Sequence, residues 1–135
     1  MKLEVIPGEF SICKVAGYDG MDLGLPFVFT GSTDEEKSLV CPTALVPQGT
    51  LAREDGWRAF RIVGVLDFSL IGILAKISAC LAGKGIGIFA VSTFNTDYIL
   101  TRATDFNRAL VALLENGCQI NEQAVPEGVK TNQVQ

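Results

Sequence analysis

The carboxylate of Asp97 is the side chain best placed for chemistry in the stretch STFNTDYIL, residues 92–100. Apolar runs flank it, IGIFAV before and YIL after, so a charge at this position needs a physical reason. Two interpretations are open. Asp97 is either a turn residue whose carboxylate caps the backbone of residues 93–96, or an anionic acceptor for a cationic group of a ligand.

The absence of histidine limits the chemistry that the chain can perform. It removes Ser-His-Asp and Cys-His nucleophilic arrangements, the usual zinc sites and the commonest general base. Only carboxylates and lysines remain for proton chemistry, and no two carboxylates are paired at a motif spacing. The four cysteines have no CxxC spacing and are expected to be buried thiols: Cys13, Cys41, Cys80 and Cys118. We therefore expect no enzymatic activity, no metal and no cofactor.

The composition constrains the partners. The chain has 135 residues, enough for one ordinary domain or two very small ones, and 48% of them are hydrophobic while only 19% are charged. This shortage of polar surface suggests that apolar surface is buried against a partner or a second copy. The net charge of −4, without a run of Lys or Arg, disfavours nucleic acid and acidic membranes as partners. The longest apolar region is interrupted by charges and the N-terminus lacks a signal-peptide core, so we expect a cytoplasmic protein without membrane association.

The second half of the chain has the clearest pattern of elements. WRAFRIVGV, residues 57–65, alternates and predicts a strand. From Leu70 the apolar period becomes helical, with Ser69 or Asp67 as the N-cap and the glycines of GKG, residues 83–85, at the end.

A hairpin, a second helix and a short strand follow. IGIFAVS and DYILTR predict the two strands of the hairpin, joined by FNT. Thr104 or Asp105 is the expected N-cap of the second helix, NG at 116–117 ends it, and CQI predicts a last short strand. The order β-α-β-β-α-β predicts two helices on one face of a four-stranded antiparallel sheet, whose other face needs cover from elsewhere.

The first half contains strands but no long helical stripe. LEVI and FSICKV predict two strands, and PFVFT and EKSLVCP predict a hairpin around an acidic turn. PTALVP allows one helical turn at most, and the glycine-rich AGYDGMDLGLP predicts a loop. If this half repeats the plan of the second, its helices have shrunk.

The segment GWRAFRIVGVLDFSLIGILAKISACLAGKGIGIFAVSTFNTDYIL resembles the ACT domains, small ligand-binding modules that regulate amino-acid metabolism. More closely, the chain is similar to two-ACT bacterial proteins related to the arginine-sensing CASTOR proteins of animals, whose segment FFS.TRT.DELS.VCPE corresponds to PFVFTGSTDEEKSLVCP here. The resemblance implies an α+β fold of two ferredoxin-like (βαββαβ) ACT domains. Residues 1–56 would form a degenerate N-terminal domain, residues 57–121 an ACT domain, and residues 122–135 a flexible tail.

The resemblance also implies a non-enzymatic sensor that binds a free amino acid between ACT units, frequently as a homodimer. In the arginine sensors a strand-to-helix loop and an ST(F/Y)..D segment hold the ligand. The matching positions here are Leu66, Asp67, Phe68, Ser69, Thr93, Phe94 and Asp97. Gly72 matches the glycine that opens the first ACT helix, although DFSLIG replaces the usual DRPG form.

A free amino acid presents an ammonium and a carboxylate, and the proposed residues suit both. Asp97 can accept the ammonium, the backbone N–H groups at the helix start near Ser69 suit the carboxylate, and Phe68 and Phe94 would enclose the aliphatic part. Asp67 has the alternative role of helix cap, and Ser69 is either a cap or a ligand contact. The alternative function is a structural or protein-interaction module without a ligand.

Overall fold

The computed structural model describes residues 1–63 and 72–122. The chain folds into two compact units, which we call the helical unit (the described part of Met1–Pro7 and Arg58–Gln135) and the strand unit (Gly8–Trp57). Strands β1 (Lys2–Val15) and β4 (Ala52–Ile62) each supply residues to both units. The first seven residues thus group with the second half of the chain, whereas the sequence assigned them to the first. Whether the two units are the two predicted domains stays a prediction.

The sheet of the helical unit contains the strands β5 (Phe89–Ser92), β6 (Asp97–Arg102) and β7 (Gln119–Glu122) besides β1 and β4. Its order is β5-β6-β4-β1-β7. β5 and β6 pair antiparallel, but β7 pairs with β1 in parallel. The predicted antiparallel sheet with two helices is confirmed, but the sheet contains a fifth strand, β1, and the pairing of this strand with β7 is parallel. The start of β1 lies between β4 and β7, and because Leu3 is completely buried there, β1 contributes to the core of this unit.

Two helices cover one face of this sheet. They are α1 (Ile73–Ala82) and α2 (Ala103–Glu115). Their inward residues share a core with alternate residues of β1, β4 and β6. This core consists of Leu3, Val5, Phe60, Ile62, Ile77, Leu81, Ile86, Ile99, Phe106, Ala109, Leu110, Ala112 and Leu113. The helical periods predicted from sequence are confirmed where the residues are described, while Leu70 lies outside the described residues.

Both helix starts differ from the prediction. The N-cap of α1 is Gly72, which has φ 86° and no side-chain cap, while the predicted caps Asp67 and Ser69 lie outside the described residues. The N-cap of α2 is Arg102, again without a side-chain hydrogen bond. Asp105 lies inside the first turn of α2, where its carboxylate is attracted to the positive end of the helix dipole and forms an ion pair with Arg108 at 3.1 Å. A carboxylate can stabilise a helix start from this position without capping it.

The strand unit contains β2 (Phe29–Ser32), β3 (Lys37–Pro42) and one 3₁₀ turn (Thr43–Leu45) besides β1 and β4. Its strands are ordered β2-β3-β1-β4. The predicted hairpin and single helical turn are confirmed, but LEVI and FSICKV form one strand rather than two. Gly8 has φ 87°, a conformation that glycine adopts without strain, so the Pro7–Gly8 step does not end β1.

The cysteines are all free thiols. Cys13 and Cys41 are buried between β1 and β3 of the strand unit, whereas Cys80 and Cys118 are only partly buried. Burial raises the pKa of the Cys41 thiol to about 11, against a weaker lowering by Arg53. This thiol is therefore protonated and inert at neutral pH.

Neither of the described helices, α1 and α2, has the length and hydrophobicity of a transmembrane span.

Candidate functional site

The hairpin between β5 and β6 is closed by Thr93. Its backbone N–H donates to the carbonyl of Thr96 at 2.8 Å, and its hydroxyl donates to the same carbonyl at 2.9 Å. The Thr93 hydroxyl also accepts a hydrogen bond from the Thr96 N–H at 3.3 Å. The Thr96 hydroxyl in turn donates to the carbonyl of Ile62 at 2.8 Å, which ties the hairpin to the end of β4. Thr93 thus performs the capping role that one interpretation gave to Asp97.

Asp97 is bound across the hairpin rather than to the turn. It lies opposite Ser92 in the register of β5 and β6, and its Oδ1 accepts the Ser92 hydroxyl at 2.6 Å. Within the described ranges the carboxylate has no hydrogen bond to the backbone of residues 93–96, so the turn-cap interpretation is wrong. Its Oδ2 accepts no hydrogen bond from any described residue and can accept one from a ligand.

The strand alternation assigns Asp97 to the helix-covered face of the sheet. Side chains two residues apart on a strand share a face, and Ile99 belongs to the core under α1 and α2. Asp97 therefore lies at the end of the sheet on the same face as the start of α1. This is the face that a clamp formed by a carboxylate and a helix start requires.

The other predicted residues have different positions. Leu66, Asp67, Phe68 and Ser69 lie outside the described residues. Phe94 lies at the tip of the hairpin with its side chain 101% exposed, so within the chain it encloses nothing. Thr93 borders a cavity, whose wall contains neither Phe94 nor Asp97.

This cavity, which we call the Glu4–Arg61 cavity, has a volume of about 310 Å³ and lies in the helical unit. The described part of its wall consists of Glu4, Arg61, Ile62, Val63, Thr93, Asn95, Thr96 and Tyr98. Arg61 and Tyr98 alternate with the core residues Phe60, Ile62 and Ile99, so they project from the helix-free face of the sheet. The cavity and Asp97 are therefore on opposite faces.

An ion pair forms one side of the cavity. The Nε and Nη2 atoms of Arg61 lie 2.8 Å and 2.6 Å from Oε1 of Glu4, and Nη1 donates to the Tyr98 hydroxyl at 3.0 Å. The side chains of Arg61 and Glu4 are 29% and 27% exposed. Burial lowers the pKa of Arg61, but the hydrogen bonds to Tyr98 and Glu4 outweigh it, so this pKa is raised overall and the guanidinium stays charged.

Sequence reasoning did not find Glu4, Arg61 or Tyr98 as site residues. The alternation of WRAFRI does predict that Arg61 faces away from the core. The partner of Arg61, however, lies 57 residues away on β1, and nothing local indicates that β1 pairs with β4. A contact of this range needs the tertiary structure.

The strand unit contains a second hairpin with the same construction. FTGSTDEEKSLVCP and FAVSTFNTDYILTR lie sixty residues apart, and each forms a strand of 4 residues, a turn, and a strand of 6. In the first hairpin Thr33 repeats the role of Thr93: its N–H and hydroxyl donate to the carbonyl of Glu36 at 2.8 Å and 3.2 Å. The shared Ser-Thr step could have indicated this repeat from sequence.

Residues 52–115 match the family model described as the ACT domain. Protein Atu0741 from Agobacterium tumefaciens, known from an X-ray crystal structure, is 30% identical to this chain; the match covers 92% of this chain and 94% of that one, with a TM-score of 0.80. The chain thus contains an ACT domain, and the family model covers just under half of its length. ACT domains are generally regulatory modules that bind amino acids and often oligomerise.

More distant structures share the fold alone. A protein of unknown function from Vibrio cholerae, VC0802, described as a possible transport protein, is 22% identical over 84% of this chain and 88% of its own, with a TM-score of 0.67. The regulatory subunit of aspartate kinase from Thermus thermophilus, in a ligand-free form, is 12% identical over 84% of this ACT protein and 95% of its own chain, with a TM-score of 0.60. No curated protein matched in sequence.

Proposed function

We propose that this ACT protein is a non-enzymatic, cytoplasmic regulatory protein that binds a free amino acid where ACT units of two copies meet. The observation that carries the proposal is the ACT match over residues 52–115, which includes all seven predicted ligand residues, Leu66 to Ser69, Thr93, Phe94 and Asp97. Asp97, with one carboxylate oxygen left for a ligand and a position on the helix face, is the proposed ammonium acceptor.

The repeated hairpin supports a tandem of two ACT-type domains. Sixty residues separate two hairpins with equal strand lengths and the same threonine-closed turn. In the strand unit the helix that follows the hairpin is reduced to the turn Thr43–Leu45, whereas in the helical unit it is α2, with 13 residues. We infer that the first domain is a degenerate copy that retains the sheet.

The exposed hairpin tip supports a homodimer. A side chain as large as Phe94 gains about 2 kcal/mol when it is fully buried, so a second copy that covers the exposed ring would be stabilised by this contact. A second copy that covers Phe94 would also enclose a ligand at the neighbouring Asp97. The regulatory effect is then a population shift: the ligand stabilises the dimer packing that closes its site.

The test is a thermal-shift screen of the twenty amino acids with the wild type and Asp97→Ala. At one hundred times its dissociation constant a ligand stabilises the protein by about 2.7 kcal/mol. Asp97→Ala should remove the part of this response that depends on Asp97 and leave the oligomeric state in light scattering unchanged. Asp34→Ala, which removes an exposed carboxylate from the equivalent turn of the first hairpin, is the matched control and should respond as the wild type does. The absence of any response in the wild type at millimolar concentrations would contradict the proposal and favour an interaction module without a ligand.

A further inference from the structure

The Glu4–Arg61 cavity has a charge arrangement that the proposed function does not use. Both Nε and Nη2 of Arg61 bind a single oxygen, Oε1, of Glu4. The other oxygen, Oε2, accepts no hydrogen bond from any residue within 1–63 and 72–122. The side-chain amide of Asn95, also in the cavity wall, has no hydrogen bond to those residues either. A carboxylate oxygen and an amide group are therefore available to a molecule in the cavity.

The described wall contains one anion and one cation. The remaining described residues of the wall are uncharged: Ile62, Val63, Thr93, Asn95, Thr96 and Tyr98. A purely anionic ligand would meet the repulsion of Glu4, and a purely cationic ligand that of Arg61. A ligand with one ammonium and one carboxylate can pair with both.

The existing ion pair can be exchanged at low cost. A pair that is more than a quarter exposed contributes little to stability, because water screens it. A zwitterion that gives its carboxylate to Arg61 and its ammonium to Glu4 replaces one pair by two. The volume of about 310 Å³ is at the small end of ligand sites, which span about 300 to 1,000 Å³, so the ligand is small.

We propose that the Glu4–Arg61 cavity is a second ligand site, on the helix-free face of the sheet, for a small α-amino acid with an uncharged side chain. Arg61 holds the α-carboxylate, Glu4 holds the α-ammonium, and Thr93 and Asn95 contact the side chain. The site is separate from Asp97, which lies on the helix face. The cavity discriminates against acidic and basic side chains, because its described wall has no further charge to pair with them.

The experiment uses the Asp97→Ala variant of the full chain, so that the site proposed on the helix face is disabled. L-Alanine and L-threonine are titrated against it by isothermal calorimetry, and by NMR with observation of the Arg61 Nε–H resonance. Saturable binding that shifts this resonance is expected. L-Lactate, which lacks the ammonium, and L-alaninamide, which lacks the carboxylate, should each bind at least tenfold more weakly than L-alanine, as should L-aspartate and L-arginine.

Glu4→Gln in the same background should weaken L-alanine binding by about tenfold or more. Glu9→Gln, the same change at an exposed position of β1, should leave it unchanged. The analogue series needs no change in Glu4, so it remains decisive if Glu4→Gln fails to fold. The inference is overturned if L-alanine does not bind, if lactate or alaninamide binds as tightly, or if folded Glu4→Gln binds like the control. None of these outcomes contradicts the amino-acid response at Asp97, which the difference between the wild type and Asp97→Ala in the thermal-shift screen tests separately.

Discussion

Replacing Thr96 by valine tests whether the hairpin is tied to the end of β4. Thr96 is 7% exposed, and its hydroxyl donates to the Ile62 carbonyl at 2.8 Å. Valine has nearly the same shape but no donor. Loss of the bond with its buried acceptor left in place costs about 2 kcal/mol. The methyl group that replaces the hydroxyl returns about 0.8 kcal/mol through burial, so the net destabilisation is about 1 kcal/mol.

The assay is urea unfolding followed by far-UV circular dichroism, with the transition midpoint converted to a free energy at constant slope. For a chain of this length, 1 kcal/mol corresponds to a decrease of about 3 to 5 °C in Tm. Two further variants isolate the hydroxyl. Thr96→Ser keeps the donor and should retain the hydrogen bond. Thr30→Val, at an exposed position of β2, should change the stability by less than about 0.5 kcal/mol.

The result that would refute this reasoning is a Thr96→Val variant as stable as Thr30→Val. A slope that changes between variants would mean that the two units unfold separately, and the free energy would then have to be measured for the helical unit alone by hydrogen exchange. The same variant reports on function, because Thr96 also lines the Glu4–Arg61 cavity.

Three further predictions concern backbone strain, a buried thiol and the hairpin tip. Gly72→Ala should destabilise the protein by about 1 kcal/mol in urea unfolding, because a φ of 86° strains any residue with a Cβ. The control is Gly87→Ala, which should not destabilise the protein, because Gly87 has no positive φ. At both positions no atom beyond the chain neighbours lies within 4 Å of the added Cβ. The pKa of the Cys41 thiol is raised in the folded state to about 11. The contribution of this thiol to the free energy of unfolding is therefore complete below the unfolded pKa near 9 and is lost as the pH rises toward 11. The wild type should lose up to about 2 to 3 kcal/mol more stability between pH 8 and 11 than Cys41→Val, and equal losses would contradict the burial of this thiol. Phe94→Ser should change the free energy of unfolding by less than about 0.5 kcal/mol while weakening self-association in light scattering; a large loss of stability would show that the ring packs within the chain.

Local patterns predicted the elements of the chain well where one period or one turn type dominates. The strand DYILTR and the end of α2 at Asn116 have the predicted bounds. The helix starts were not predicted. Asp105, a predicted cap of α2, lies in the first turn of this helix, and the predicted caps of α1, Asp67 and Ser69, lie outside the described residues. At Gly72 the backbone conformation, rather than a side chain, precedes the helix. A polar residue near a helix start indicates where the helix begins but does not specify the N-cap.

The candidate site was likewise predicted only in part. The sequence by itself indicated Asp97 as an unusual carboxylate and found the hairpin that presents it, because both follow from residue types within ten positions. Ser92, the hydrogen-bond partner of Asp97, lies in the same stretch, but the sequence did not predict their contact, because strand register is needed to bring the two residues opposite each other.

The amino-acid sequence alone determined the β-strands and helices of the second half, the all-strand character of the first, and the chemistry excluded by the lack of histidine. These depend on periodicity and composition, which are local properties. Only the tertiary structure decided that β1 lies between β4 and β7, that Glu4 pairs with Arg61, and that this pair and Asp97 occupy opposite faces. Such features depend on which strands become neighbours, and that choice is made by the burial of side chains far apart in the chain, such as Leu3 and Phe60 in one core.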